Sequence, residues 1–312
     1  MKSEFALIEL LKKRIPRKLQ GPYGIGDDAA ILPGKGQERW LLTTDALVEG
    51  IDFTRAKMTP PELVGRKALA VNLSDIAAMG GVPYACVISL GIPPKLNERW
   101  LQQFYAGLVD LAKRYHTLCV GGDISRAREF FVSIALLGKV RLRQLVTRHG
   151  AKPGDWIMVT GRLGGSILGR HLKFEPRIRE AQFLVRRFHP TAMIDISDGF
   201  LQDLKHILKE SRAGARLEIT QIPISADAKR LAKGNPQKAL EHALTDGEDF
   251  ELIFTVPNSK KDELRRSWRA SFPAVPLSCV GKVREGQGEI SWTREAKPIR
   301  NLHLSREGYS HF

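Results

Sequence analysis

The sequence predicts a mixed α/β protein built as two domains. Three observations in its 312 residues carry that prediction. In the first half, apolar segments of strand length alternate with longer segments whose apolar residues recur at helical spacing, as in a sheet covered by helices. A run of turn formers, Gly150-Ala151-Lys152-Pro153-Gly154-Asp155, breaks that alternation. A second alternation begins at once with Trp156. The expected division is 1–150 and 151–312.

Taken in order, Phe5 to Ile15 reads as an amphipathic helix, with Phe5, Ile8, Leu11 and Ile15 at helical spacing and Pro16 as its stop. Short strands are predicted from Ala29 to Leu32 and from Trp40 to Leu47. Pro60-Pro61 opens a helix that runs to about Met79, where Gly80-Gly81 ends it. Ala85 to Leu90 is a strand. Asn97 to Tyr115 is a helix with Leu101, Phe104, Leu108 and Leu111 on one face. Thr117 to Val120 and Phe130 to Val140 are strands. The second half opens with the strand Trp156 to Thr160, then a helix near Gly164 to Leu172. A strand from Ala192 to Ile196 leads into a helix from Asp198 to Glu210. The strand Arg216 to Ile219, two short helices and the strand Phe250 to Val256 follow.

Hydrophobic content of 43% and charged content of 27% are those of a globular protein. No uninterrupted apolar stretch is long enough for a membrane span, so no membrane partner is expected. The opening Met1-Lys2-Ser3-Glu4-Phe5 does not read as a signal peptide, because an acid arrives early and the pattern is helical. Cys86, Cys119 and Cys279 each lie in an apolar segment without a C-x-x-C, which predicts buried, reduced thiols in a cytoplasmic protein. The net charge of +15 raises nucleic-acid binding as a class. The basic clusters Lys12-Lys13-Arg14, Lys139/Arg141/Arg143, Arg186-Arg187 and Arg265-Arg266 are spread along the chain, however. Aromatic content is only 7%, and no nucleic-acid motif is visible. The expectation is a solvated basic surface that attracts small anions, with no nucleic-acid partner.

Carboxylates recur where strands end. Asp27 and Asp28 follow Gly24-Ile25-Gly26, and in an extended chain only one of the two can point into a given site. Thr43-Thr44-Asp45 ends an apolar strand, and Asp45 serves equally as a ligand or as a cap. Asp75 lies on a helix that is apolar on most of its surface, where a carboxylate is costly unless paired or metal-bound. Asn72 shares its face, so a structural Asn72–Asp75 pair is the alternative. Asp195 and Asp198 frame a strand-to-helix turn at which Asp198 is a good N-cap. Ser197 and the backbone N–H groups there could meet an anion. Asp246-Gly247-Glu248-Asp249 is again acid at an element boundary. Carboxylates gathered this way suit Mg²⁺ shared with substrate phosphates. A P-loop, a nucleophile elbow, the protein-kinase set and a zinc spacing are all absent.

Each motif alone is weak, but their order and spacing together are informative. Gly-Ile-Gly-Asp-Asp-Ala-Ala, Thr-Thr-Asp, Ala-Val-Asn-Leu-Ser-Asp-Ile-Ala-Ala-Met-Gly, Gly-Gly-Asp, the segment 147–155, Ile-Asp-Ile-Ser-Asp-Gly, Gly-Glu-Asp-Phe-Glu-Leu and Gly-Tyr-Ser-His-Phe resemble the thiamine-monophosphate kinases over essentially the whole chain. The wider superfamily includes aminoimidazole ribonucleotide synthetase, selenophosphate synthetase and a hydrogenase-maturation dehydratase. The latter two would bring a reactive Cys near the N-terminus or at the C-terminus. Here the first Cys is Cys86 and the last residue is Phe312.

The resemblance implies a two-domain, aminoimidazole ribonucleotide synthetase-like fold whose N-terminal domains pair in a homodimer with a shared β-barrel. It implies transfer of the ATP γ-phosphoryl group to thiamine monophosphate, giving thiamine diphosphate. Carried over by motif, Mg²⁺ ligands would be Asp28, Thr43, Thr44, Asp45, Asp75, Asp123, Asp195 and Asp198. Asp75, Asp123 and Asp198 would be the catalytic carboxylates among them. ATP contacts would be Tyr105, Gly122, Asp123, Arg148 and Ser197, and substrate contacts Asp52, Glu248 and Tyr309. One departure stands out. The family usually carries His where Val48-Glu49-Gly50-Ile51-Asp52-Phe53 has Asp52. Asp52 would then contact the cationic part of the acceptor, bind metal, or mark a different acceptor. The alternative activities are an ATP-dependent synthetase with another acceptor and a basic nucleic-acid-binding protein.

Overall fold

The computed structural model describes residues 4–20, 23–55, 59–299, 302, 304 and 308. Helix α1 (Glu4–Arg14) precedes a five-stranded sheet of β1 (Ala30–Pro33), β2 (Glu38–Val48), β3 (Val82–Ile92), β4 (Leu118–Arg126) and β5 (Phe131–Arg141). The strand order is β1-β2-β5-β3-β4, antiparallel except for the parallel β3–β4 pair. The parallel pair is joined by α3 (Glu98–Arg114), as a crossover requires. Helix α2 (Pro61–Ala78) joins β2 to β3.

Helix α2 is nearly apolar all round because it has neighbours all round. It packs on β2 and β5, on α3, and on elements of the second half. Its crossing with α3 is close enough to demand glycine. A Cβ on Gly65 would sit 1.9 Å from the Phe104 carbonyl oxygen, and one on Gly107 would sit 1.8 Å from that of Glu62.

The second half forms a seven-stranded mixed sheet of β6 (Trp156–Thr160), β7 (Ala192–Asp195), β8 (Ala213–Glu218), β9 (Leu252–Val256), β10 (Leu277–Glu285), β11 (Ile290–Arg294) and β12 (Lys297–Ile299). Its order is β12-β11-β8-β10-β6-β9-β7. Helices α4 (Arg170–Lys173), α5 (Ile178–Arg187), α6 (Phe200–Ser211), α7 (Ala226–Leu231), α8 (Pro236–Thr245) and α9 (Lys261–Ser271) connect the strands. One apolar core joins the first sheet and its helices to Met158, Leu184, Met193 and Phe254 of the second half. A second core under α6 and α8 belongs to the second half alone. Among the described residues no helix is long and apolar enough to cross a membrane.

Several expectations change. The helix expected near Gly164 to Leu172 is a 3₁₀ turn, Ser166–Leu168, followed by the single turn α4. Strand β4 runs six residues beyond Val120, because it pairs with β3 as far as Ile92↔Arg126. Asp198 does not cap α6. Gly199 is the cap position at φ +113, and Asp203 accepts from the N–H groups of Asp198 and Gly199 at 3.1 Å each. Of the cysteines only Cys86 is buried. Cys119 is exposed, with its Sγ 3.8 Å from that of Cys86 on the neighbouring strand.

Candidate active site

Three carboxylates from three distant segments meet at the junction of the two halves. Asp28 precedes β1, Asp75 lies on α2 and Asp195 ends β7, and one oxygen from each falls within 4.8 Å of the others. The strand alternation of β2 turns Thr43 and Asp45 toward the same place. The Thr43 hydroxyl donates to Asp75 Oδ2, and Asp45 also hydrogen-bonds Asp75. Asn72 does not pair with Asp75 in the way the shared helix face suggested. Its Oδ1 accepts from the Asp45 N–H at 3.1 Å and its Nδ2 donates to the Ala68 carbonyl at 3.1 Å. Ser74 Oγ donates to Asp195 Oδ2 at 2.5 Å, tying α2 to β7.

Electrostatics mark the cluster as incomplete by itself. Burial, and then the charges of Asp45, Asp195 and Asp28, push the Asp75 carboxyl well above the usual range. Burial and then Asp28 push Asp195 up to about 8, and burial pushes Asp45 up to about 6. Among the described residues Arg148 answers them. Arg148 Nη2 lies 2.6 Å from Asp28 Oδ1, while Asp27 accepts from the Arg148 N–H at 2.7 Å. Burial works against the Arg148 charge, but Asp28 outweighs it. The other Asp28 oxygen, Oδ2, is buried with no hydrogen-bond partner among the described residues. A buried orphan carboxylate oxygen among like charges and hydroxyls, with no sulfur or nitrogen donor in the group, fits a hard divalent cation such as Mg²⁺.

A second acidic group adjoins it. Asp198, Asp203 and His206 bring ligand atoms within 4.8 Å of one another, and Asp198 contributes to the field at Asp45. Ser197 is fixed by its carbonyl, which accepts from the Glu248 N–H at 2.7 Å.

The Asp246–Asp249 loop has a structural account. Asp246 and Asp249 accept from the N–H groups of Gly165 and Gly164, each at 2.8 Å, and Arg170 pairs with Asp249. Glu248 is held at φ +61, a strained conformation for its residue type. Its carboxylate meets Lys67 Nζ and, at 3.0 Å, His171 Nδ1. Burial pushes the Glu248 carboxyl up, but the His171 hydrogen bond and the Lys67 charge outweigh it and hold it below the usual range. Lys67, whose side chain is 0% exposed, also donates to the Asp52 carbonyl at 3.0 Å. Sequence reading passed over Lys67, although a lysine opening an apolar helical run was a visible signal. His171 and Asp203 carried no such signal.

The structure thus brings Asp28, Thr43, Asp45, Asp75, Arg148 and Asp195 together, with Asp198 beside them and Glu248 linked by Lys67 to residue 52. Other residues lie elsewhere. Thr44 faces the opposite side of the sheet, its Oγ1 3.3 Å from Ser133 Oγ. Asp123 is exposed on β4, where it accepts from Ser125 Oγ at 3.1 Å, with Gly122 beside it. Tyr105, on α3, is near Cys119 of that strand. The Asp52 carboxylate accepts from the Val48 N–H at 2.7 Å, and its charge acts on Asp45 of the cluster. Tyr309 lies outside the described residues.

Comparison with known proteins defines the class first. Residues 26–140 match the family model for the AIR synthase related protein, N-terminal domain, and residues 152–292 match that for the C-terminal domain. The chain is 39% identical to the thiamine-monophosphate kinase of Rhodopirellula baltica, with 90% of this chain and 89% of the relative covered. It is 36% identical to that of Escherichia coli K12, with 99% and 98% covered. Among solved structures, thiamine monophosphate kinase from Aquifex aeolicus superposes with a TM-score of 0.78 at 30% identity, over 96% of this chain and 99% of that one. AaThiL complexed with AMPPCP and TMP gives 0.82 at 31%, over 99% and 97%. Within the AIR synthase-related class, the chain belongs to the thiamine-monophosphate kinase family.

Proposed function

We propose that this chain transfers the γ-phosphoryl group of ATP to the phosphate of thiamine monophosphate, giving ADP and thiamine diphosphate. The observation that carries the reading is the junction of Asp28, Asp75 and Asp195 within 4.8 Å, with a buried, partnerless Asp28 oxygen. Two polyanions must approach each other, so the chemistry needs positive charge and alignment more than a strong base. Mg²⁺ bound by these carboxylates would supply that charge and share phosphate oxygens with the substrates. The residues expected to hold it are Asp28, Thr43, Asp45, Asp75, Asp195 and Asp198. Thr44 and Asp123 are assigned to the same work on motif alone. Tyr105, Gly122, Asp123, Arg148 and Ser197 are assigned to the nucleotide, and Glu248, residue 52 and Tyr309 to the acceptor. Arg148 steadies Asp28. Lys67 and His171 fix the Glu248 carboxylate at the acceptor end, and Lys67 also holds the main chain at Asp52.

The working unit is a homodimer in the cytoplasm. Strand β4 is exposed at all nine positions, with Leu118, Val120 and Ile124 each more than half exposed. Leu42, Tyr84 and Val87 on the same sheet are also open. A second copy covering that edge and face would remove both liabilities, closing the paired sheets as a β-barrel. The activity is tested by incubating the protein with ATP, Mg²⁺ and thiamine monophosphate, with free thiamine as control, and resolving products by chromatography. Thiamine diphosphate from the monophosphate alone is expected. ADP release without thiamine diphosphate would point to a synthetase with another acceptor.

A further inference from the structure

The fold brings two basic clusters from different halves of the chain to one groove. Lys139 and Arg141 end β5, Arg143 lies in the turn after it, and Arg186 and His189 lie at the end of α5. They line a cavity of about 770 Å³, within the range of small-molecule sites. The groove opens at the sheet end where Glu38 begins β2, and none of its lining residues is among Asp28, Asp75 and Asp195. Glu38 is the cross-strand neighbour of Arg141 and, among the described residues, the only carboxylate on the wall. Among the described residues none of the four Lys and Arg side chains forms an ion pair, and Lys139 rests over the Tyr84 ring at 5.6 Å. The walls are fixed relative to each other. Gln182 of α5 donates to the carbonyls of Gly80 and Gly81 at 2.7 and 3.1 Å, across the two halves.

Four cations facing one cavity repel one another, and a multivalent anion would relieve that repulsion. Guanidinium forks match phosphate oxygens in pairs, and preset walls lower the ordering cost of binding. Among the described residues no Phe, Tyr or Trp lines the cavity, and His189 is the one ring on its wall. We propose that this groove is a second anion site that takes a short polyphosphate, two or three linked phosphate groups, either free or as the tail of a nucleotide.

The carboxylate cluster needs Mg²⁺ to hold phosphates, whereas the groove does not, and this difference separates the two sites. Calorimetric titration of the full-length protein with tripolyphosphate in EDTA is expected to show saturable binding. Arg141→Ala/Arg186→Ala should weaken it at least about tenfold, and Asp75→Asn should leave it unchanged. The double variant should keep its steady-state phosphoryl-transfer rate within about twofold, since neither residue touches the active site. Mg²⁺-free ATP binding as tightly as tripolyphosphate assigns the phosphate chain as ligand, and ATP binding about tenfold tighter assigns the nucleotide. No saturable binding, or equal binding by wild type and double variant, overturns the proposal. So does a thymidine oligonucleotide that binds about a hundredfold more tightly than either small ligand and is lost in the double variant.

Discussion

Asp75 and Lys67 carry opposite charges into the same buried helix, and each makes a separable prediction. Asp75→Asn keeps shape and replaces one of three carboxyls that crowd within 4.8 Å. Turnover should fall at least about a hundredfold, the scale of lost transition-state charge stabilisation. The unfolding midpoint without Mg²⁺ should stay or rise, because a neutral amide replaces a buried carboxyl whose charged form is disfavoured there. Turnover near wild type would show the carboxylate to be dispensable. Lys67→Met leaves Glu248 without its buried cation and should cost about 3 kcal/mol of stability by denaturant unfolding. Lys67→Met/Glu248→Gln should recover most of that stability, while KM for the acceptor stays raised and KM for ATP shifts less than about twofold. Equal effects on both substrates would make the pair a structural strut. Asp52 accepts from the Val48 N–H at 2.7 Å, and its charge also pushes the Asp45 carboxyl up.

At the scale of elements, two local contacts hold shape that propensity would not. The α2–α3 crossing has no room for a methyl group at Gly107, where a Cβ would lie 1.8 Å from the Glu62 oxygen. Gly107→Ala should destabilise the protein by at least about 2 kcal/mol in urea unfolding despite alanine's better helix propensity. The β11–β12 hairpin turns through Glu295 and Ala296, at φ +50 and +65, positions that favour Gly or Asn. Glu218 secures them by accepting from both N–H groups at 3.0 Å. Slight burial pushes its carboxyl up, but the N–H group of Ala296 and the hydroxyls of Thr220 and Thr293 pull it down to about 2. A lowered folded value means the contribution is present above the ordinary 4.5 and is lost as pH falls toward 2. Glu218→Gln should therefore lower the melting temperature by roughly 2 °C at pH 7. That gap should close as pH falls from about 5 to 2. A gap independent of pH would mean the charge is not what holds the turn.

The whole molecule is arranged so that neither half owns the site. Asp28 and Asp75 come from the first half and Asp195 from the second, and Ser74–Asp195 and Lys67–Glu248 cross between them. Rigid docking of the halves through one shared core sets the geometry of every ligand oxygen. The open β4 edge is the other feature of this scale. Light scattering should give about twice the 34.9 kDa chain mass. Ile124→Asp, placing charge on an apolar position 65% exposed, should shift the mass to the monomer without unfolding the chain. A wild-type monomer would mean that the apolar strand has another cover.

The sequence by itself determined the alternating α/β elements, the burial of α2 and the carboxylates at strand ends. Each of these follows from local periodicity or from residue chemistry at a turn. Helices α5 and α9 and strands β10 to β12 escaped that reading. Strands β11 and β12 are short and half-exposed, and their pairing with β8 and with each other is non-local. Only the tertiary structure decided that Thr43 faces Asp75 while Thr44 does not, and that Gly199 rather than Asp198 takes the cap position of α6. It also set Lys67 between Asp52 and Glu248, and gathered Lys139, Arg141, Arg143 and Arg186 around one groove. These are distances between segments far apart in the chain. They are set by how two sheets pack against a common helix, and no local pattern encodes that.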